Sequence, residues 1–109
     1  MKSEDAIKKI DNLINVVAVD IPDTLEILGK KYNLREDINS TEKDRIIKKY
    51  EDLYMEVRER IKNMNDVPED LVTKAIILRR VVLFLKDFRS ESEIDEKKRW
   101  LQFIKKVSR

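Results

Sequence analysis

Apolar residues recur along this chain at spacings of three and four, the period of a helix that buries one face. The first stripe is Ile7, Ile10, Ile14 and Val17. Ser3 stands where an N-cap belongs, and Glu4 and Asp5 suit the electropositive first turn, so one helix is predicted from about Glu4 to Val19. Leu25, Leu28 and Tyr32 predict a short second helix from about Pro22 to Tyr32. Gly29 is a stop for it, since glycine takes the left-handed conformation that follows a helix. "NLREDINS" reads as a connector, and Thr41 with Asp44 has capping-box spacing. A long third helix then extends to about Met64, with Ile46, Tyr50, Leu53, Val57 and Met64 toward a core. The fourth, from Pro68 to about Phe88, is the most apolar. The fifth begins near Ser90 or Ser92 and runs to Arg109, acidic at its start and basic at its end.

Two similar hexapeptides punctuate this pattern, "DIPDTL" from Asp20 and "DVPEDL" from Asp66. In each, the aspartate can accept from free backbone N–H groups. A proline two residues on loses nothing in a first helical turn, and an acid three residues on can reach back. Both are predicted to be corners that start a helix. The expected fold is therefore all-α, a compact bundle of four to five helices in one domain spanning 1–109. The paired corners also resemble the Asp/Pro/acid turns of HEAT repeats, which would imply two helical hairpins plus a capping helix. The resemblance is confined to the hexapeptides and lacks the arginine and alanine spacing of such repeats.

Composition narrows the class. Charged residues make up 42% of the 109, with one glycine and two prolines, a mixture that favours surface-charged helices over strands. No apolar run reaches membrane-span length, and "MKSEDAIKK" lacks the apolar stretch of a signal peptide. The absence of cysteine rules out a disulfide framework and makes the cytoplasm the expected location. Abundant lysine and glutamate with a single glutamine fit either a thermophile or an AT-rich genome.

Candidate chemistry is sparse. With no histidine and no cysteine, the usual proton shuttle, the thiolate nucleophile and the commonest metal ligands are all missing, and no glycine-rich phosphate loop is present. The expectation is a non-enzyme without cofactor, metal or small-molecule substrate. Asp52, Glu56 and Glu59 lie a turn apart and are similar to the acidic pairs with which helical NTP pyrophosphatases hold magnesium. Arg58, Arg60 and Lys62 crowd the same segment, which makes a charge-balanced solvated face the simpler reading.

"TLEILGKKYNLREDI" resembles the first helix and turn of a helix-turn-helix motif through Leu28, Gly29, Tyr32, Asn33 and Leu34. It departs from the motif at Asn39, where an apolar residue belongs, and Glu36 and Asp37 would face phosphate with the wrong sign. The final stretch, "KKRWLQFIKKVSR", has six basic residues and no acid in a chain whose net charge is only +2. Lys98, Arg99, Lys105, Lys106 and Arg109 fall on one helical face there, opposite Trp100, Phe103 and Ile104. With Lys30, Lys31 and Arg35 they are the residues for a nucleic-acid-binding reading.

The leading reading is a small interaction module (adaptor, subunit or regulatory protein) that binds a protein partner or itself as a homodimer through helical surfaces. It rests on "AIILRRVVLFLKDF". Beside a broad apolar face, Val72, Ile76 and Leu83 form a second narrow strip, flanked by Arg79 and Arg80. A helix apolar on two sides must be covered on both, within its own domain or by a partner. Val72, Ile76, Arg79, Arg80 and Leu83 are thus the partner-contact candidates.

Overall fold

The computed structural model describes residues 1–87. Its elements are α1 (Ser3–Asp11), α2 (Leu13–Ala18), β1 (Thr24–Ile27), β2 (Lys30–Asn33), α3 (Leu34–Ile38), α4 (Lys43–Lys62) and α5 (Glu69–Asp87). The predicted fifth helix, including Lys98, Arg99, Lys105, Lys106 and Arg109, lies outside the described residues.

The expectation of an all-α fold, as a closed bundle or as HEAT-like hairpins, is overturned. The segment predicted as the second helix is an antiparallel β-hairpin, with Leu25 opposite Tyr32 and Ile27 opposite Lys30. Leu25 and Ile27 alternate buried with exposed Thr24 and Glu26, a period of two that the leucine and tyrosine spacing concealed. The two-residue loop decides the matter. Leu28 has φ 51° and Gly29 φ 76°, the positive pair that gives a tight hairpin turn the twist of its strands. Gly29 supplies a left-handed residue as expected, but it reverses a hairpin instead of ending a helix. The same geometry removes the helix-turn-helix resemblance.

The flanking segments differ as well. Asn33 caps α3, its Oδ1 accepting from the Glu36 N–H at 3.1 Å while its Nδ2 donates to Glu36 Oε2 at 3.1 Å. The "NLREDINS" connector is thus partly helical. The first predicted helix breaks at Asn12, whose backbone is extended and whose Oδ1 accepts from the Ile14 N–H at 3.1 Å to start α2. Before α4 the Glu42 N–H donates to Ser40 Oγ at 3.1 Å, and the N-cap is Glu42 rather than Thr41.

The two hexapeptides are not equivalent. "DIPDTL" leads into β1, and "DVPEDL" starts α5 with Glu69 and Asp70 in its first turn. Asp66 does not cap α5. Its carboxylate accepts from the Met1 amino group at 2.8 Å and is otherwise exposed, while the Val67 N–H donates to the Met1 carbonyl at 2.7 Å.

α5 is the hub, packing against α1, α2, α3, α4 and β1. Ala75, Leu78, Val81 and Leu85 are fully buried on one face of it, and Val72 and Ile76 are almost fully buried on another, which is why its sequence is apolar on more than one side. α4 lies along α5 and buries Ile46, Tyr50, Val57 and Ile61 in the same core.

Candidate functional site

Arg79 and Arg80, adjacent on α5, reach in different directions to the ends of the two N-terminal helices. Arg79 Nη1 donates to the Ile10 carbonyl at 2.6 Å, at the end of α1. Arg80 Nε donates to the Val19 carbonyl at 3.1 Å, at the end of α2, and its guanidinium lies 5.8 Å from the centre of the Phe84 ring. The last carbonyls of a helix have no partner within it and sit at its negative pole, so arginine is well suited to both ends. Arg79 also lies 3.8 Å from Asp11, which Arg58 of α4 grips with both terminal nitrogens at 2.5 and 3.0 Å. The hydrogen bond from Arg58, outweighing burial, holds the Asp11 carboxyl below its ordinary value and raises Arg58 in turn.

This network fixes where α1 stops. α1 packs on both α4 and α5, and after Asn12 the chain continues as α2, which packs on α5. Beyond that point the two long helices leave a groove of about 250 Å³ between them. Val82 is its buried floor, Tyr54 and Leu83 are partly exposed walls, and Met55 stands on the rim with 61% of its surface in solvent. Arg79 closes the end near Asp11. At the other end Lys86 Nζ meets Glu51 Oε1 at 2.5 Å.

The five partner-contact candidates separate accordingly. Arg79 and Leu83 line the groove. Val72 and Ile76, on the same helix row, are 1% and 3% exposed, covered by the chain's own fold and closed to any partner. Arg80 belongs to another cleft, with Pro22, Asp23, Arg35, Ile38 and Phe84. Sequence reasoning missed Tyr54, Met55, Glu51, Val82 and Lys86. The available signal was Met55 itself, a large apolar residue beside the Tyr50, Leu53 and Val57 stripe rather than on it.

The other sequence candidates are distributed among acids. Lys31 faces Glu26 across the hairpin, Lys30 neighbours it, and Arg35 lies 3.9 Å from Asp23. On α4, Asp52 pairs with Lys48 at 3.1 Å and Glu56 with Arg60 at 3.3 Å. Among the described residues no group of three or more acids, histidines or cysteines could hold a metal ion, and no helix is long and apolar enough to cross a membrane.

A second polar cluster ties the hairpin to the helices. Tyr50, buried on α4, donates from its hydroxyl to Asp37 of α3, and Lys49 Nζ lies 2.9 Å from the same carboxylate. Tyr32 of β2 meets the Tyr50 ring edge-on at 6.1 Å, and Lys49 sits 5.7 and 5.4 Å from the two ring centres. Burial works against a charged Asp37, but the bonds from Tyr50 and Lys49 outweigh it and lower the carboxyl. Burial and the Asp37 charge both push the Tyr50 phenol up. The Tyr50 hydroxyl and the Lys49 amine both meet one carboxylate oxygen of Asp37, which fits a joint in the fold rather than a ligand site. No family model matches this chain, and no curated protein or solved structure gives a significant match to it.

Proposed function

We propose that this protein is a small interaction module, and that the α4–α5 groove receives apolar side chains of a protein partner. The observation that carries the reading is Met55, 61% exposed on the rim of an apolar groove where α1 ceases to cover α4 and α5. An unbranched thioether adapts to the shape of what it meets, and methionine is over-used at binding surfaces. Burying Met55 and Leu83 would supply association energy at about 25 cal/mol per Å² of apolar surface. The charged residues at the two ends of the groove would give orientation more than affinity. The lack of cysteine agrees with work in the reducing cytoplasm.

The test is a photo-crosslinking amino acid placed at position 55 of the protein in its native cells, with position 45 as the exposed control on the same helix. Adducts of defined mass from position 55 and none from position 45 are expected. Equal yields at the two positions, or none at either, would refute the groove as the working surface.

A further inference from the structure

We propose that α2 is a lid with a second position, in which α1 and α2 form one unbroken helix and α2 covers the α4–α5 groove. This rests on the reading above and adds regulation to it, since a closed lid excludes a partner. The geometry comes from the way α1 is seated. It runs antiparallel to α4, with Ile7 beside Lys62 in one recess and Asp11 paired to Arg58. It runs parallel to α5, with Met1 joined to Val67 and Ile10 to Arg79. About seven residues make two helical turns, so a straight continuation repeats these contacts one heptad on. Ile14 then meets Met55, Ala18 meets Glu51, and Val17 meets Lys86. Met55, Glu51 and Lys86 all line the groove. Ile14 is 58% exposed where it stands, and it and Met55 are two of the three large apolar residues that the described chain leaves in solvent. The closed position buries them against each other.

The break at Asn12 is made of bonds that a straight helix can replace. In an unbroken helix the Lys9 and Ile10 carbonyls accept from the Leu13 and Ile14 N–H groups. Here the Lys9 carbonyl accepts from Asn15 Nδ2 at 3.2 Å and the Ile10 carbonyl from Arg79, while the Ile14 N–H turns to Asn12 Oδ1. Closing exchanges side-chain bonds for backbone ones and leaves Arg79 beside Asp11. It gives up the burial of Val16 and the bond from Arg80 to the Val19 carbonyl, and it gains burial of Ile14, Val17 and Met55. The tether is long enough. Residues 19–23 reach about 17 Å when extended, more than the roughly 10–12 Å diameter of a helix such as α5. The hairpin therefore keeps its place, with the Asp23 carbonyl on the Arg35 N–H at 3.0 Å.

The chain has no cysteine, so a pair of introduced thiols tests the lid in the full chain. Ala18→Cys with Glu51→Cys is read against Ala18→Cys with Arg45→Cys, whose second thiol is exposed on α4 beyond the groove. Dibromobimane fluoresces once it has bridged two neighbouring thiols, and at high dilution it reports bridges within one chain. The 18/51 pair should be bridged at least ~10-fold faster than the 18/45 pair. Adding Asn12→Ala removes the cap of α2 and favours the unbroken helix, so it should speed the 18/51 bridge about 10-fold further. A melting temperature close to that of the unaltered protein shows that each variant is folded. Equal rates for the two pairs overturn the lid. So does an 18/51 rate indifferent to Asn12→Ala, since the thiols then meet without the helix straightening. Adducts from position 55 in cells together with equal bridging rates would remove the lid and leave the groove reading standing. Fast bridging with no adducts would do the reverse, so the two failures can be told apart.

Discussion

Tyr50→Ala is expected to lower the unfolding free energy by about 3–5 kcal/mol, the range for removing a large ring from a packed core. Tyr50 is among the largest fully buried side chains, and it is where the hairpin, α3 and α4 meet. Tyr50→Phe keeps the ring and removes only the bond to Asp37, so it should cost about 1–2 kcal/mol. Urea unfolding followed by circular dichroism resolves the two. The pair also contributes to both limbs of the pH profile. The Asp37 carboxyl is lowered in the folded protein, so its contribution is present above the ordinary value of 3.8 and is lost as pH falls through the folded value. The Tyr50 phenol is raised, so its contribution is full below the ordinary value of 10.0 and is lost as pH rises beyond it. Stability should therefore be flat between these limits as far as this pair is concerned, and Tyr50→Phe should shallow both limbs. Unchanged limbs in that variant would show that the hydroxyl is not coupled to Asp37.

Arg79→Ala is expected to cost about 2–3 kcal/mol, measured in the same way, because a hydrogen bond to a charged donor is worth about 1.5–3 kcal/mol and the arginine stem is itself packed. The loss falls on the Ile10 carbonyl, which has Arg79 as its donor at the end of α1, and on Asp11, left to Arg58 alone. Arg60→Ala is the contrast. Arg60 is exposed and pairs with Glu56 one turn back, so its loss should cost less than about 0.5 kcal/mol. Equal costs for the two arginines would contradict the role given to Arg79 in ending α1.

The long helices were legible because their apolar residues keep one period over many turns. Ile46, Tyr50, Leu53 and Val57 mark α4 without help from any other part of the chain. The hairpin was not, because Leu25, Leu28 and Tyr32 satisfy a helical spacing as well as Leu25, Ile27 and Tyr32 satisfy a strand pair. The choice between them lay in Leu28, a residue with no preference for the positive φ it adopts. The break at Asn12 was hidden for a similar reason. Ile10, Ile14 and Val17 continue one stripe across it, and its stabilising partners, Arg79 and Arg80, come from α5, far along the sequence. Those two arginines were correctly singled out as unusual on an apolar helix, but their ligands are largely backbone carbonyls, which no side-chain pattern announces. The groove is the space left where α1 ends. It became visible only with the packing, although Met55, one of its rim residues, stood apart from the core stripe in the sequence.

The most direct measurement of the central claim uses the absence of cysteine from the chain. Met55→Cys places a single thiol on the rim of the α4–α5 groove, and Arg45→Cys places one on the same helix at an exposed position away from it. With a thiol-directed photo-crosslinker attached and the protein returned to extract of its native cells, Met55→Cys should give adducts of defined mass and Arg45→Cys none. Equal adduct yields at the two positions, or none at either, would contradict the account.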